Sequence, residues 1–146
     1  MLALAVAMLV VFVINSQWGF ILKSADDYNT RISAEKAAYI STFFLTNGPG
    51  YPSSWNATNV QIVGVAKNLD VIDSGKFIEL MKIKNETLGE LLGAPQYNIF
   101  INLTSLGGVT INSTGLRPVN YNISAGVLSF VSFNNTISKL YVAVWK

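Results

Sequence analysis

Residues 1–22 carry no charged side chain, and the first fourteen, MLALAVAMLVVFVI, are apolar without a break. No other segment restricts the fold so tightly. A helix that is apolar all round must be buried in a protein core, in lipid, or against copies of itself. Secretory signals and membrane anchors ordinarily carry a basic flank ahead of such a run. None precedes it here, so the expectation is a mature subunit whose leader has been removed, with an exposed apolar tip.

Residues 1 to about 45 read as one continuous helix, with no proline and with Gly19 as the only glycine. From Phe20 onward the pattern turns amphipathic. Ile21, Ala25, Tyr28, Ile32, Tyr39 and Phe43 recur at helical spacing, with Ala34 and Ala38 nearby. Lys23, Asp26, Asp27, Arg31, Glu35 and Lys36 fill the polar face. Asn47-Gly48-Pro49-Gly50 is a strong stop signal. Such a helix is roughly 68 Å long at 1.5 Å per residue, about twice what a bilayer core of about 30 Å requires. Its second half should therefore lie against a soluble head while its first half protrudes. The division expected is 1–46 for the helix and 47–146 for the head.

The head reads as β-rich. Val60-Gln61-Ile62-Val63-Gly64-Val65 reads as a strand. Asp73 or Ser74 is placed to cap a short helix over 75–83, and a second helical turn spans 86–92 before Gly93 and Pro95. Residues 97–103 alternate Tyr97, Ile99, Ile101 and Leu103 against Asn98, Phe100 and Asn102, which predicts a strand. Residues 109–112 give a weaker one. Residues 127–133 and 137–145 flank Asn134-Asn135, a pair that tolerates positive φ, so a terminal β-hairpin is expected. Runs of strands with few helices between them imply an α+β fold, a long helix packed on an antiparallel sheet.

Composition removes whole classes of chemistry. Only 12% of residues are charged, the net charge is +2, and no basic run occurs, so a nucleic-acid footprint is missing. With neither Cys nor His, the chain has no thiol nucleophile or disulfide, and it lacks the commonest general base and metal ligand. The carboxylates do not pair usefully. Asp26 and Asp27 point about 100° apart on a helix, Glu86 and Glu90 share a face with no metal-binding neighbour, and Asp70 and Asp73 flank a helix start. A carboxylate hydrolase would need two acids about 5–10 Å apart. The reading is therefore no catalytic, cofactor-binding or metal residue.

Six Asn-x-Ser/Thr sequons follow the helix, at Asn56, Asn85, Asn102, Asn112, Asn122 and Asn134, and none has a central proline. Their absence from the first 45 residues points to an extracytoplasmic surface carrying glycans on the head.

This layout resembles the type IV pilins and their archaeal relatives, the adhesion-pilus and archaellum subunits. The resemblance rests on the uncharged helix, the Cys-free head with many sequons, and two stretches, Gly48-Pro49-Gly50-Tyr51-Pro52-Ser53-Ser54-Trp55-Asn56 and Leu140-Tyr141-Val142-Ala143-Val144-Trp145. Ala5 stands where bacterial pilins place a glutamate. The resemblance implies an extracellular homopolymeric filament serving adhesion. It also implies storage in the cytoplasmic membrane before assembly, a prepilin peptidase and an assembly machine. The residues expected to pack in the filament core are Leu2, Leu4, Val6, Leu9, Val10, Phe12, Val13, Ile14, Trp18 and Ile21, with Ala3, Ala5 and Ala7 allowing close helix approach. The competing expectation is a monomeric membrane-anchored surface or secretion component; Asn15-Ser16-Gln17 with Trp18 and Gly19 fits a membrane interface, hydrogen-bonding helix contacts in a bundle, or the end of a short membrane segment equally well.

Overall fold

The computed structural model describes the backbone of residues 2–119 and 124–146, and the side chains of Met8 and of residues 11–119 and 125–146. Its element order is α1 (Leu2–Asn47), β1 (Ala66–Asn68), β2 (Val71–Ile72), α2 (Ser74–Met81), α3 (Asn85–Leu91), β3 (Asn98–Ser105), β4 (Thr110–Gly115), β5 (Ser124–Phe133) and β6 (Thr136–Trp145). The fold is α+β, one long helix and a six-stranded, mostly antiparallel sheet. The chain divides into two units, Met1–Ile32 and Ser33–Lys146, so the last turns of α1 belong to the head.

The sheet order is β1-β2-β5-β6-β3-β4. Its centre is the β5–β6 hairpin, in register from Ser124↔Trp145 to Phe133↔Thr136. Asn134 and Asn135 close it at φ 48° and 62°, the left-handed pair that the strand twist demands at a two-residue turn. β3 lies antiparallel to β6 along its whole length, Asn98↔Trp145 to Ser105↔Ser138. Among the described residues the one parallel pairing joins β2 to β5.

One core fills the head. Ile99, Ile101 and Leu103 of β3 and Leu140, Val142 and Val144 of β6 present alternate residues to it, as a half-buried strand must. Phe77 and Leu80 of α2, and Leu88 of α3 with Leu92 just beyond it, close one side, with Phe77 edge-on to Phe133 at 6.3 Å. Asp73 caps α2, its carboxylate accepting from the Lys76 amide at 3.0 Å.

Two sequence expectations are corrected. Residues 60–65 form no strand. Only Val63, Gly64 and Val65 are buried, and the amides of the two valines go to separate elements, Val63 N to Leu91 O and Val65 N to Leu45 O, while exposed Ile62 keeps an isolated bridge to Tyr51. The helix face toward the sheet is also different. Ala34, Ala37, Ala38, Ser41, Thr42 and Leu45 are buried, whereas Tyr39 and Phe43 are exposed. At about 100° per residue the buried set covers roughly 140° of the helix, and Tyr39 and Phe43 fall beyond that arc. The buried set follows i, i+3, i+4, i+7, i+8, i+11, and along it the Ser41 hydroxyl donates to Leu92 O at 3.3 Å and Leu45 O accepts from the Val65 amide at 3.1 Å.

Candidate functional site

Among the described residues no group of three or more His, Cys, Asp or Glu is placed to hold a metal. Asp73 is spent on its cap, and Asp70 sits at φ 56° in the β1–β2 turn. Glu86 and Glu90 are exposed on α3. An open cleft of about 650 Å³ lies between the loop at Ala57–Val60 and α3, and it contains Glu90 with Lys82 and Lys84 but no pair of acids.

The most polar constellation is structural. Trp55, almost fully buried, donates from Nε1 to Pro49 O (2.7 Å) and Gly64 O (3.0 Å). Lys76 reaches back from α2, and its ammonium donates to Pro49 O and to Ser53 O (2.6 Å) while standing 5.7 Å from the Trp55 ring centre. Burial by these loops pushes the Lys76 ammonium below the usual lysine range, and Asp73 opposes that shift. Gly50, at φ 75°, runs against Gly64; a Cβ there would lie 2.5 Å from Ile62 O and 2.6 Å from the Gly64 nitrogen. The glycines thus allow one loop to cross another, and Trp55 and Lys76 fasten the crossing. Nearby, Glu79 accepts from Lys82 and from the Ala57 amide at 3.2 Å, and those bonds hold its carboxyl below the usual range.

The notable surface lies on α1. Of the residues expected in a filament core, Leu2, Leu4, Val6, Leu9 and Val10 lie outside the described side chains. Phe12, Val13, Ile14, Trp18 and Ile21 are all exposed, between 42% for Val13 and 74% for Phe12. Met8 and Val11 are exposed too, as is every side chain from residue 11 to 29. Asn15, Ser16 and Gln17 interrupt this surface, and the Ser16 hydroxyl turns inward to donate to Val13 O at 2.8 Å. Among the described residues no helix is long and apolar enough to cross a membrane. Within the head, α1 also exposes Tyr39, Ile40 and Phe43, beside Glu35 and Lys36 and away from the buried alanines. Helical spacing groups Tyr39 and Phe43 with the packed stripe, but both are surface. The signal was present in the run of small residues, since a helix can turn only one face to a sheet.

A second apolar surface covers the far side of the sheet. Leu128 and Phe130 of β5 and Ile137 and Tyr141 of β6 are exposed there, with Leu128 opposite Tyr141. The Tyr141 ring lies over Gly126, where an added Cβ would come within 2.5 Å of its hydroxyl.

Four of the sequons fall in regular or closing elements. Asn85 opens α3, Asn102 lies inside β3, Asn112 lies on the edge strand β4, and Asn134 is in the hairpin turn. Asn56 sits in an exposed loop, and Asn122 lies outside the described residues. No protein-family model, curated protein or solved structure matches this chain.

Proposed function

We propose that this chain is the structural subunit of an extracellular filament of the archaeal type IV pilus kind, polymerising through α1 and serving surface adhesion. The observation that carries this reading is the exposed apolar surface of α1 in the unit Met1–Ile32. It includes Val11, Phe12, Val13, Ile14, Trp18, Phe20, Ile21, Leu22 and Tyr28. Burying one such side chain stabilises by about 1.5–3 kcal/mol, so nine exposed ones strongly favour association. Repeated helix contacts that do not close into a ring yield a helical polymer. The cytoplasmic membrane is the natural store for such a helix before assembly, and the head, with its sequons, forms the filament's outer layer. Nothing in this role requires chemistry by the subunit.

The membrane-anchored monomer is the second reading, favoured by exposed Trp18 beside Asn15, Ser16 and Gln17, an interfacial arrangement. Shearing filaments from producing cells and identifying the dominant chain by mass separates the two. This chain as the major filament band supports the first. Its retention in membranes as a monomer, with filaments intact and built from another chain, refutes it.

A further inference from the structure

The five sequons in described regions differ in how freely another protein could turn them. Asn102 is held between two neighbours, paired with Tyr141 on β6 and Ser113 on β4, and its Oδ1 is buried with no partner. Asn112 faces the same side as Leu103, and its threonine, Thr114, is buried opposite Ile101. Asn134 closes the hairpin at φ 48°, and its threonine, Thr136, is already paired with Phe133. Asn85 begins α3, and its Thr87 hydroxyl donates to Lys84 O at 3.0 Å.

Asn56 differs from all four. It and Thr58 are exposed, as Asn85 with Thr87 and Asn134 with Thr136 also are, but they alone of these lie in a loop that is neither helix nor hairpin, and only there is the asparagine bonded to its own threonine. Its Oδ1 accepts from the Thr58 amide at 2.9 Å and from the Thr58 hydroxyl at 2.6 Å. Carboxamide and sequon hydroxyl thus already share one tight turn, with the neighbouring Trp55 anchored beneath. Two donors on Oδ1 stabilise the negative charge that gathers there when the amide nitrogen gives up a proton.

We propose that Asn56 carries an N-linked saccharide, an inference that rests on the extracellular reading of the head. The donor is a saccharide esterified through its anomeric carbon to a polyprenyl phosphate or diphosphate. Nδ2 attacks that carbon and the C–N bond forms. The bond from that carbon to the phosphate oxygen breaks, the phosphate leaves with its electron pair, and the Nδ2 proton passes to a base of the transferase.

Trypsin separates this site from the rest. Fragment 37–67 contains Asn56 as its only sequon, while fragment 85–139 contains the other five, because Arg117 precedes Pro118 and resists cleavage. The protein is taken from producing cells, digested and weighed. A saccharide mass on fragment 37–67, lost in Asn56→Gln and Thr58→Val and kept in Thr58→Ser, is the expected result. A bare fragment 37–67, or a saccharide that survives Thr58→Val, overturns the assignment. A bare 37–67 beside a modified 85–139 rejects Asn56 while the extracellular reading stands. A wholly bare chain in purified filaments rejects the glycan while the filament reading stands. If the chain is missing from filaments, that reading falls, and the mass of 37–67 still decides Asn56.

Discussion

Ile14→Asp separates assembly from folding. Ile14 is 47% exposed on α1, in the unit Met1–Ile32 rather than in the head. About half of its burial therefore remains to be gained on association, roughly 1 kcal/mol of the 1.5–3 kcal/mol for a full side chain. Aspartate forfeits that gain. It also places a carboxylate in an apolar surrounding, at about 2.5–3.5 kcal/mol on the membrane-insertion scale. The sum is about 4 kcal/mol per subunit, or nearly three decades in the critical concentration for polymerisation at about 1.4 kcal/mol per decade. An exposed substitution outside the head core changes folding stability by only about 0.5 kcal/mol. The assay is sheared-filament yield from cells producing Ile14→Asp, with Ile14→Leu as control, beside thermal melting of the purified protein. Filaments should vanish while the head melts as before. Wild-type filament yield from Ile14→Asp would refute the reasoning outright, since it would mean that this face of α1 is never buried.

The head offers complementary tests. Leu45→Ala empties a fully buried site where α1 meets the core and should cost about 2–5 kcal/mol, read as a lower urea midpoint; an unchanged midpoint would mean that the α1 end is not part of the cooperative unit. Gly115→Ala, at φ 86° with its Cβ driven into the Ile99 carbonyl, should lower stability by more than the roughly 1 kcal/mol that Gly→Ala gains at permissive sites, and a rise in melting temperature would contradict the geometry. Glu79 is held below the usual carboxylate range first by its hydrogen bond from Lys82 and then by that from Ala57. Its contribution is present above the unfolded-state value and is lost as pH falls through the lower folded value. Glu79→Gln should thus be less stable than wild type at neutral pH and equal to it in strong acid, and a gap that does not depend on pH would exclude the carboxylate as its cause.

Much of the fold was legible because its signals are local. A proline-free run ending in Asn-Gly-Pro-Gly specifies α1, Asp73 specifies the start of α2, and Asn134-Asn135 specifies the hairpin. The stretch 60–65 misled because its apolar, β-branched composition does not report pairing: Val63 and Val65 are buried without a ladder, and Ile62 is exposed. What its amides bond to was settled by the ends of α1 and α3, far away in sequence. The two-residue β2, paired in parallel with β5, is equally a long-range outcome. The sequons were plain in the sequence, but their differing freedom was not, since it depends on which strands flank each asparagine.

The uncharged start of the chain and its helical continuation follow from residue types alone, because backbone propensity and hydropathy act over a few turns. Which side of that helix the head covers does not. The core of the head takes in Ala34, Ala37, Ala38 and Leu45, and Tyr39, Ile40 and Phe43 are left facing outward. Close packing between distant segments made that choice, so the apolar surface of this protein is larger than its apolar run.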